Sequence, residues 1–357
     1  MSVLKIFPED TGISMLPLHH TYESTIILFF APYCGCKVTF CEGFKYVLRN
    51  MKEFSPSIFV AVPLILETVH RRLMQRIKAK PHGEFLFKFG TKVCKVASKV
   101  GIDLRKVFFK EIQDAFGGNM RLIICGAAPI RPEILRDFEA FGIQILFGYG
   151  LTECSPIVIC NSDDDRKASS IGKPLDEVQV KIINKDSQGI GEICVKGPMV
   201  MLGYYNNPTA TDEVLVDGYL HTGDLGYCDD KGYYYITGRS KNVIVTSTGK
   251  NIYPEEIESM FYSYDTVQEV VVSAAESDVI TVQIFPELSE IEKKLKRKNL
   301  TDNDIKKALN EVVRSVNKKL PSYKRVRKLI VRKEGFAKTT THKIKRYDEN
   351  ANDNRSL

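Results

Sequence analysis

The sequence predicts an α/β protein in two parts: a large domain with a parallel sheet, helices and a small antiparallel β subdomain, then a small α+β C-terminal domain. Three observations carry this. First, Arg121–Cys125 is a short apolar run, Pro132–Phe141 has helical spacing, and Gln144–Phe147 is a second apolar run ending at Gly148. Strand, helix and strand joined by short Gly-rich connections form the parallel α/β pattern. Second, from Gly172 to Thr237 the alternating segments VQVKII, GEICVKG and GYYYITG are separated by Asn-Lys-Asp, Gly-Pro and Asp-Asp-Lys-Gly turns, the texture of antiparallel β-structure. Third, Gly238 is followed by a strand (NVIVT), a helix opened by Pro254, two strands (EVVVSAA, VITVQIFP), a basic helix near Asn303–Leu320 and a strand (KLIVR). The expected boundaries are 1–238 for the large domain, with 172–238 as its β-rich part, 239–346 for the small domain, and 347–357 as a disordered tail.

Earlier in the chain, residues 57–79 read as a strand or turn running into a basic amphipathic helix. In parallel sheets ligands sit beyond the carboxyl ends of the strands, which places 126–129 and 148–153 at one cleft.

Of the 357 residues, 43% are apolar and 27% charged, which suits buried cores and excludes a disordered chain. The longest apolar stretches, Thr25–Tyr33 and Ile58–Leu66, are about half of what a bilayer span requires. Residues 1–12 carry no signal-peptide pattern, and nine cysteines without paired CxxC spacing favour a reducing compartment. The expectation is a cytoplasmic protein. Its net charge of +7 is unevenly spread: residues 71–110 carry 12 Lys and Arg against Glu84 and Asp103, and residues 291–333 carry 16 against four acids. The rest of the chain is net acidic. Phe85, Phe87, Phe89, Phe108 and Phe109 interleave the first basic stretch, which points to peripheral contact with an anionic membrane. No nucleic-acid-binding motif accompanies either patch, so no nucleic-acid partner is expected.

Three segments carry the chemistry. In Phe147-Gly148-Tyr149-Gly150-Leu151-Thr152-Glu153, glycines admit a ligand close to the backbone, the tyrosine offers a stacking face, and Thr and Glu supply hard oxygen donors. In Tyr219-Leu220-His221-Thr222-Gly223-Asp224-Leu225-Gly226, a carboxylate at a turn suits a vicinal diol. Gly238-Arg239-Ser240-Lys241-Asn242 lies where composition changes, and Arg239 there could reach a phosphate or ribose. Cys34, Cys36 and Cys41 with His19 and His20 do not have a standard zinc spacing and read as ordinary thiols.

In this order and spacing the segments resemble the adenylate-forming superfamily, and within it the long-chain fatty-acid–CoA ligases. Leu16–Glu23 (LPLHHTYE) is similar to that family's Pro-x-x-His segment, and Lys338–Arg346 (KTTTHKIKR) to its catalytic-lysine loop. The resemblance implies a two-step reaction in which fatty acid and Mg²⁺-ATP give an acyl-adenylate and pyrophosphate, and CoA then gives the thioester and AMP. It implies that Gly126, Ala127, Ala128, Pro129, Tyr149 and Gly150 frame the adenine. Thr152 would contact phosphate and Glu153 the Mg²⁺, with Asp224 and Arg239 on the ribose and Lys241 at a hinge. Ser247, Thr248 and Gly249 would approach CoA, His20 would lie beside the acyl carboxylate, and Lys343 would be the adenylation catalyst.

Two departures stand out. His342 occupies a position where the family usually has glycine. The family's Ser/Thr/Gly-rich phosphate loop should precede the Pro-x-x-His segment, yet Pro17 lies close to Met1. The expectation is therefore the carboxyl-terminal two-thirds of a ligase, impaired alone or completed by a separate N-terminal half. Strands beside Arg121–Cys125 should then be missing. Carrier-protein loading, and an inactive nucleotide- or acyl-CoA-binding fragment, stay open as alternatives.

Overall fold

The computed structural model describes residues 3–43, 46–126, 132–167, 170–247, 249–275, 279–339 and 344–346. The chain divides into two compact units, one formed by 1–222 with 227–236, the other by 223–226 with the chain from 237 onward.

The first unit is built on a seven-stranded sheet of β1 (Thr11–Ser14), β2 (Lys37–Phe40), β3 (Ile58–Ala61), β4 (Leu122–Gly126), β5 (Gln144–Gly150), β6 (Ile157–Cys160) and β7 (Lys173–Pro174). Its order is β2-β1-β3-β4-β5-β6-β7, parallel from β2 through β5 and antiparallel from there. The strands beside Arg121–Cys125 are therefore present, contrary to expectation: β4 is hydrogen-bonded to β3 on one side and β5 on the other.

The apolar runs are continuous because the central strands are buried on both faces. Ile58, Val60, Leu122 and Ile124 join one core with Leu16, Tyr22, Ile26 and Ile27. Phe59, Ala61, Ile123 and Cys125 join the other with Met51, Leu66, Phe116, Phe138 and Phe141. The helices on these faces are α1 (Thr21–Glu23), a π-helical stretch (Ser24–Phe30) and α2 (Ala31–Tyr33), then α3 (Val47–Phe54), α4 (Pro63–Ala79), α5 (Gly83–Lys99), α6 (Arg105–Phe108), α7 (Lys110–Ala115) and α8 (Pro132–Ala140). Phe85, Phe87 and Phe89 alternate like a strand, yet they belong to helix α5, in which Gly83, Phe87, Gly90 and Cys94 face inward at helical spacing.

The antiparallel region contains β8 (Gln179–Ile183), β9 (Gly191–Lys196), α9 (Pro208–Val214), β10 (Leu215–Val216), β11 (Tyr219–Cys228) and β12 (Tyr234–Arg239). Its strand order is β10-β11-β9-β8, and β12 pairs with β11. The second unit holds the hairpin β13 (Ile244–Val245) and β14 (Asn251–Ile252), α10 (Pro254–Phe261), β15 (Val267–Ala275), β16 (Val279–Pro286), α11 (Leu288–Leu295), α12 (Asp302–Asn317) and β17 (Lys328–Val331). β15 and β16 are antiparallel, and β17 adds parallel to β16. α12 begins with a reciprocal cap between Thr301 and Asp304. The stretch expected as strand NVIVT is extended only at Ile244–Val245, because Asn242 closes a 3₁₀ turn. Residues 347–357, expected as a disordered tail, lie outside the described residues.

Candidate active site

In the first unit, β4 ends at Gly126, which lies opposite Gly148 of β5 in the register. β5 does not stop at Gly148 as expected. It continues through Tyr149 to Gly150 because β6 pairs with it there. Gly150 is required by a close approach: a Cβ on it would lie 1.6 Å from the Pro156 carbonyl oxygen. Beyond Leu151 the chain makes a 3₁₀ turn, Thr152–Cys154, anchored by the buried Cys154 and by the Met201 N–H donating to the Glu153 carbonyl at 2.8 Å. This leaves the Thr152 side chain exposed and the Glu153 carboxylate half-exposed, its Oε1 accepting from the Tyr204 hydroxyl at 3.0 Å. Burial first, and the Glu153 hydrogen bond second, raise the Tyr204 phenol above its ordinary value. Tyr149 is only 6% exposed and packs with Cys154, Val158 and Ile159, so most of its ring faces the core.

The LPLHHTYE segment arrives at the same strand end. His20 caps α1, its Nδ1 accepting from the Tyr22 N–H at 3.2 Å. Tyr22 lies over Gly126, where an added Cβ would meet its ring at 3.1 Å. The buried Tyr22 and Thr21 hydroxyls have no hydrogen-bond partner among the described residues. Glu23 is wholly buried, its Oε1 accepting from the Met15 N–H at 3.0 Å, and burial raises its carboxyl pKa. Tyr204, Tyr22 and Glu23 were not singled out by sequence reasoning. The latter two lie inside the quoted motif, and the signal for Glu23 is an acid flanked by the buried Tyr22, Ile26 and Ile27.

In the second unit, Asp224 is buried and Arg239 is half-exposed, with Arg239 Nε donating to Asp224 Oδ1 at 2.8 Å. The sequence expectation put Asp224 at a turn, but it lies within strand β11. The adjoining Gly223, at φ 68°, supplies the local bend that made the segment look like one. Lys241 is exposed on the following 3₁₀ turn. Ser247 and Gly249 are exposed at the tip of the β13–β14 hairpin, where Gly249 has φ 74°.

Farther along, Lys338 bridges Ile344 and the Lys345 N–H donates to the Ala337 carbonyl at 2.8 Å, forming a two-stranded stem. Buried acids hold that stem. Glu269 pairs with Lys338 and accepts from the Phe336 N–H at 2.7 Å, while Arg346 pairs with Glu258. Ala127, Ala128, Pro129, Thr248, His342 and Lys343 lie outside the described residues.

Cys36 and Cys41, weighed above as metal ligands, instead donate to the carbonyls of Phe7 and Gly43. Among the described residues, the one converging set of metal-ligating side chains is Glu192, Cys194 and His221. Burial pushes the Cys194 thiol up to about 11, and Lys181 stands opposite it on β8, so this set does not favour a cation.

Residues 2–205 match the family model described as AMP-binding enzyme, and residues 241–351 match the AMP-binding enzyme C-terminal domain. The chain belongs to the AMP-binding enzyme family. Similar members include the long-chain-fatty-acid–CoA ligase 6 of Homo sapiens, 30% identical over 93% of this chain and 51% of that protein. Another is the long-chain-fatty-acid–CoA ligase 5 of Rattus norvegicus, 33% identical over 92% of this chain and 52% of that protein. The chain thus spans about half the length of the curated relatives it matches. The adenylate-forming fold is shared with solved AMP-binding enzymes. The o-succinylbenzoate CoA synthetase of Bacillus subtilis in complex with AMP superposes with TM-score 0.71 at 24% identity, covering 99% of this chain and 62% of that one. The same enzyme in complex with ATP and magnesium ion superposes with TM-score 0.68 at 24% identity, covering 95% and 61%.

Proposed function

We propose that this AMP-binding family chain carries the acid-activating chemistry of a long-chain fatty-acid–CoA ligase. The observation that carries the reading lies within the first unit: Tyr22 of the His20–Tyr22 segment lies over Gly126 at the end of β4, Gly126 pairs with Gly148 of β5, and β5 runs on through Gly150 into the Thr152–Glu153 turn. Convergence of an acyl-side motif and a phosphate-side motif on one sheet end suits a carboxylate that must meet an α-phosphate. Support for the long-chain substrate comes from the relatives named above.

In the first step a carboxylate oxygen of the fatty acid attacks the α-phosphorus of ATP, the bond to the β-phosphate bridging oxygen breaks, and pyrophosphate leaves. His20 lies beside the acyl carboxylate. Gly126, Ala127, Ala128 and Pro129, with the backbone of Gly150, frame the adenine, and Tyr149 backs it from inside the core. Asp224 and Arg239 hold the ribose, the carboxylate accepting from its hydroxyls in the orientation that the Arg239 hydrogen bond gives it. Thr152 donates to phosphate. Lys343 is the catalytic lysine, because an ammonium that bridges the carboxylate and α-phosphate oxygens stabilises the charge spreading between them in the transition state. In the second step the CoA sulfur, having lost its proton, attacks the acyl carbon and AMP leaves. Ser247, Thr248 and Gly249 line the thiol's approach, and Lys241 is the pivot between the half-reactions.

The exposed Thr152 hydroxyl and the half-exposed Glu153 carboxylate form a hard oxygen donor set that fits Mg²⁺. Glu153 would hold the ion, which when bound neutralises phosphate charge.

Two measurements test the reading. Palmitoyl-sulfamoyl-adenosine should bind the chain by calorimetry, and Asp224→Asn should weaken that binding about tenfold. Palmitate-dependent AMP release should fall about 10²–10³-fold in Lys343→Ala, while thiolysis of supplied palmitoyl-AMP is spared. A folded chain that does not bind the adenylate analogue overturns the site. Benzoate used as well as palmitate overturns the long-chain assignment.

A further inference from the structure

Helix α5 and the chain after it present a surface that the activating site does not use. Phe87 turns inward, its ring 5.9 Å from that of Phe109 and 5.8 Å from that of Phe141. On the opposite side Phe85, Phe89, Val96 and Val100 recur at helical spacing and are 68%, 50%, 66% and 71% exposed. The Phe85 and Phe89 rings stack at 6.3 Å, and Phe108 meets Phe89 edge-on at 6.4 Å. Ile102 and Val107 add further exposed apolar surface. Large side chains gathered this way on a soluble surface mark an interaction site.

Charge selects the occupant. Lys88 and Lys92 lie three residues after Phe85 and Phe89, and Lys95 three after Lys92, so a basic stripe borders the apolar one along the helix. The nearby acids are already engaged: Glu84 by Lys78, Asp103 by Arg105 and Glu111 by Lys80. Arg72 and Arg76 on α4 are exposed, and with Lys88 and Lys92 they have no acidic partner among the described residues. No described helix is long and apolar enough to cross a membrane, so these features describe a helix lying in an interface rather than spanning one.

We propose that the α5 face, with Phe108 beside it, is a docking surface for an anionic phospholipid bilayer. The aromatic and aliphatic side chains enter the headgroup–acyl boundary while the lysines meet lipid phosphates and carboxylates. A second copy of the chain would bring like charges together, and a nucleic acid would leave the phenylalanines unused. The proposal is independent of which acid the enzyme activates.

Flotation of the chain with liposomes decides it. Partition onto phosphatidylcholine–phosphatidylserine vesicles should exceed that onto phosphatidylcholine alone by at least about tenfold and should fall as salt rises. Lys88→Glu with Lys92→Glu should lower it about tenfold or more, and Phe85→Ser with Phe89→Ser by a similar factor. All four side chains point outward, so both double variants should keep the parent's circular dichroism and melting temperature, and a variant that loses them is replaced by Val96→Ser with Val100→Ser. Equal flotation with neutral and anionic vesicles overturns the proposal. So does binding that the phenylalanine substitutions leave intact, which is the outcome a nucleic-acid site gives. Vesicle-free dimerisation abolished by the same substitutions assigns the face to a second copy and overturns it too.

Discussion

In the first unit the candidate residues Thr152 and Glu153 are held mainly by backbone: a glycine that tolerates a carbonyl at its α-carbon, a 3₁₀ turn and a hydrogen bond from the Met201 N–H. In the second unit the candidate segments are held by charge: Asp224 with Arg239, Glu269 with Lys338, and Glu258 with Arg346. A turn fixed by backbone keeps its donors exposed and does not depend on pH, but it tolerates no added volume. A stem fixed by buried ion pairs tolerates volume better but responds to protonation. The Thr152–Glu153 turn should therefore fail on steric substitution and the stem at Lys338 and Ile344 on titration.

The largest expected effect is steric. Gly150→Ala sets its new Cβ against the Pro156 carbonyl oxygen, a backbone atom that no rotamer change can move away. We expect a loss of about 3 kcal/mol or more in urea unfolding, together with loss of adenylate-analogue binding. Gly249→Ala is the counterpart in the second unit. It also occupies a positive-φ position, but nothing lies within 4 Å of the added atom, so only backbone strain of about 1 kcal/mol applies. Equal costs for the two substitutions would remove the distinction between the units.

The next effect is electrostatic. Burial raises the Glu258 carboxyl from 4.5 to about 7, against the opposing pull of Arg346 and the Val272 N–H. A carboxyl raised on folding favours the native state while protonated. Its contribution is complete below about pH 4.5 and is lost as pH rises through 7. Stability of the parent should thus fall by roughly 2 kcal/mol more than that of Glu258→Gln between pH 5 and 8. Urea midpoints across that range measure it, and parallel pH profiles for the two proteins would show that Glu258 is not strained by its burial.

What the sequence makes legible follows from the range of the interactions. β3, β4 and β5 are readable because strands covered on both faces need unbroken apolar runs, a local property. The small domain is readable because its strands and the capped α12 carry their own punctuation. Asp224 was misread because Thr-Gly-Asp-Leu-Gly has turn composition, whereas its conformation is set by neighbouring strands far off in sequence. The sequence shows the α5 region as a basic stretch interleaved with phenylalanines but not as a helix, because Phe at alternate positions hides the inward spacing of Gly83, Phe87, Gly90 and Cys94. Tyr204 carries no periodic or charge signal at all, and its partner Glu153 is 51 residues away.

That pair gives the smallest effect and the finest test of the first unit's design. If backbone alone positions Thr152 and Glu153, removing the Tyr204 hydrogen bond to the carboxylate should change little. Tyr204 is partly exposed, so Tyr204→Phe deletes a hydrogen bond without opening a cavity, and stability should stay within about 0.5 kcal/mol. Glu153 then loses this orienting partner, and Mg²⁺-dependent ATP binding should weaken about tenfold, as a carboxylate freed to rotate coordinates a hard cation less well. Calorimetric titration with and without Mg²⁺ separates the two contributions. A change confined to titrations containing the metal assigns Tyr204 to the orientation of Glu153, whereas equal weakening without it would make Tyr204 a nucleotide contact in its own right and would mean that side chains, not backbone alone, build this turn.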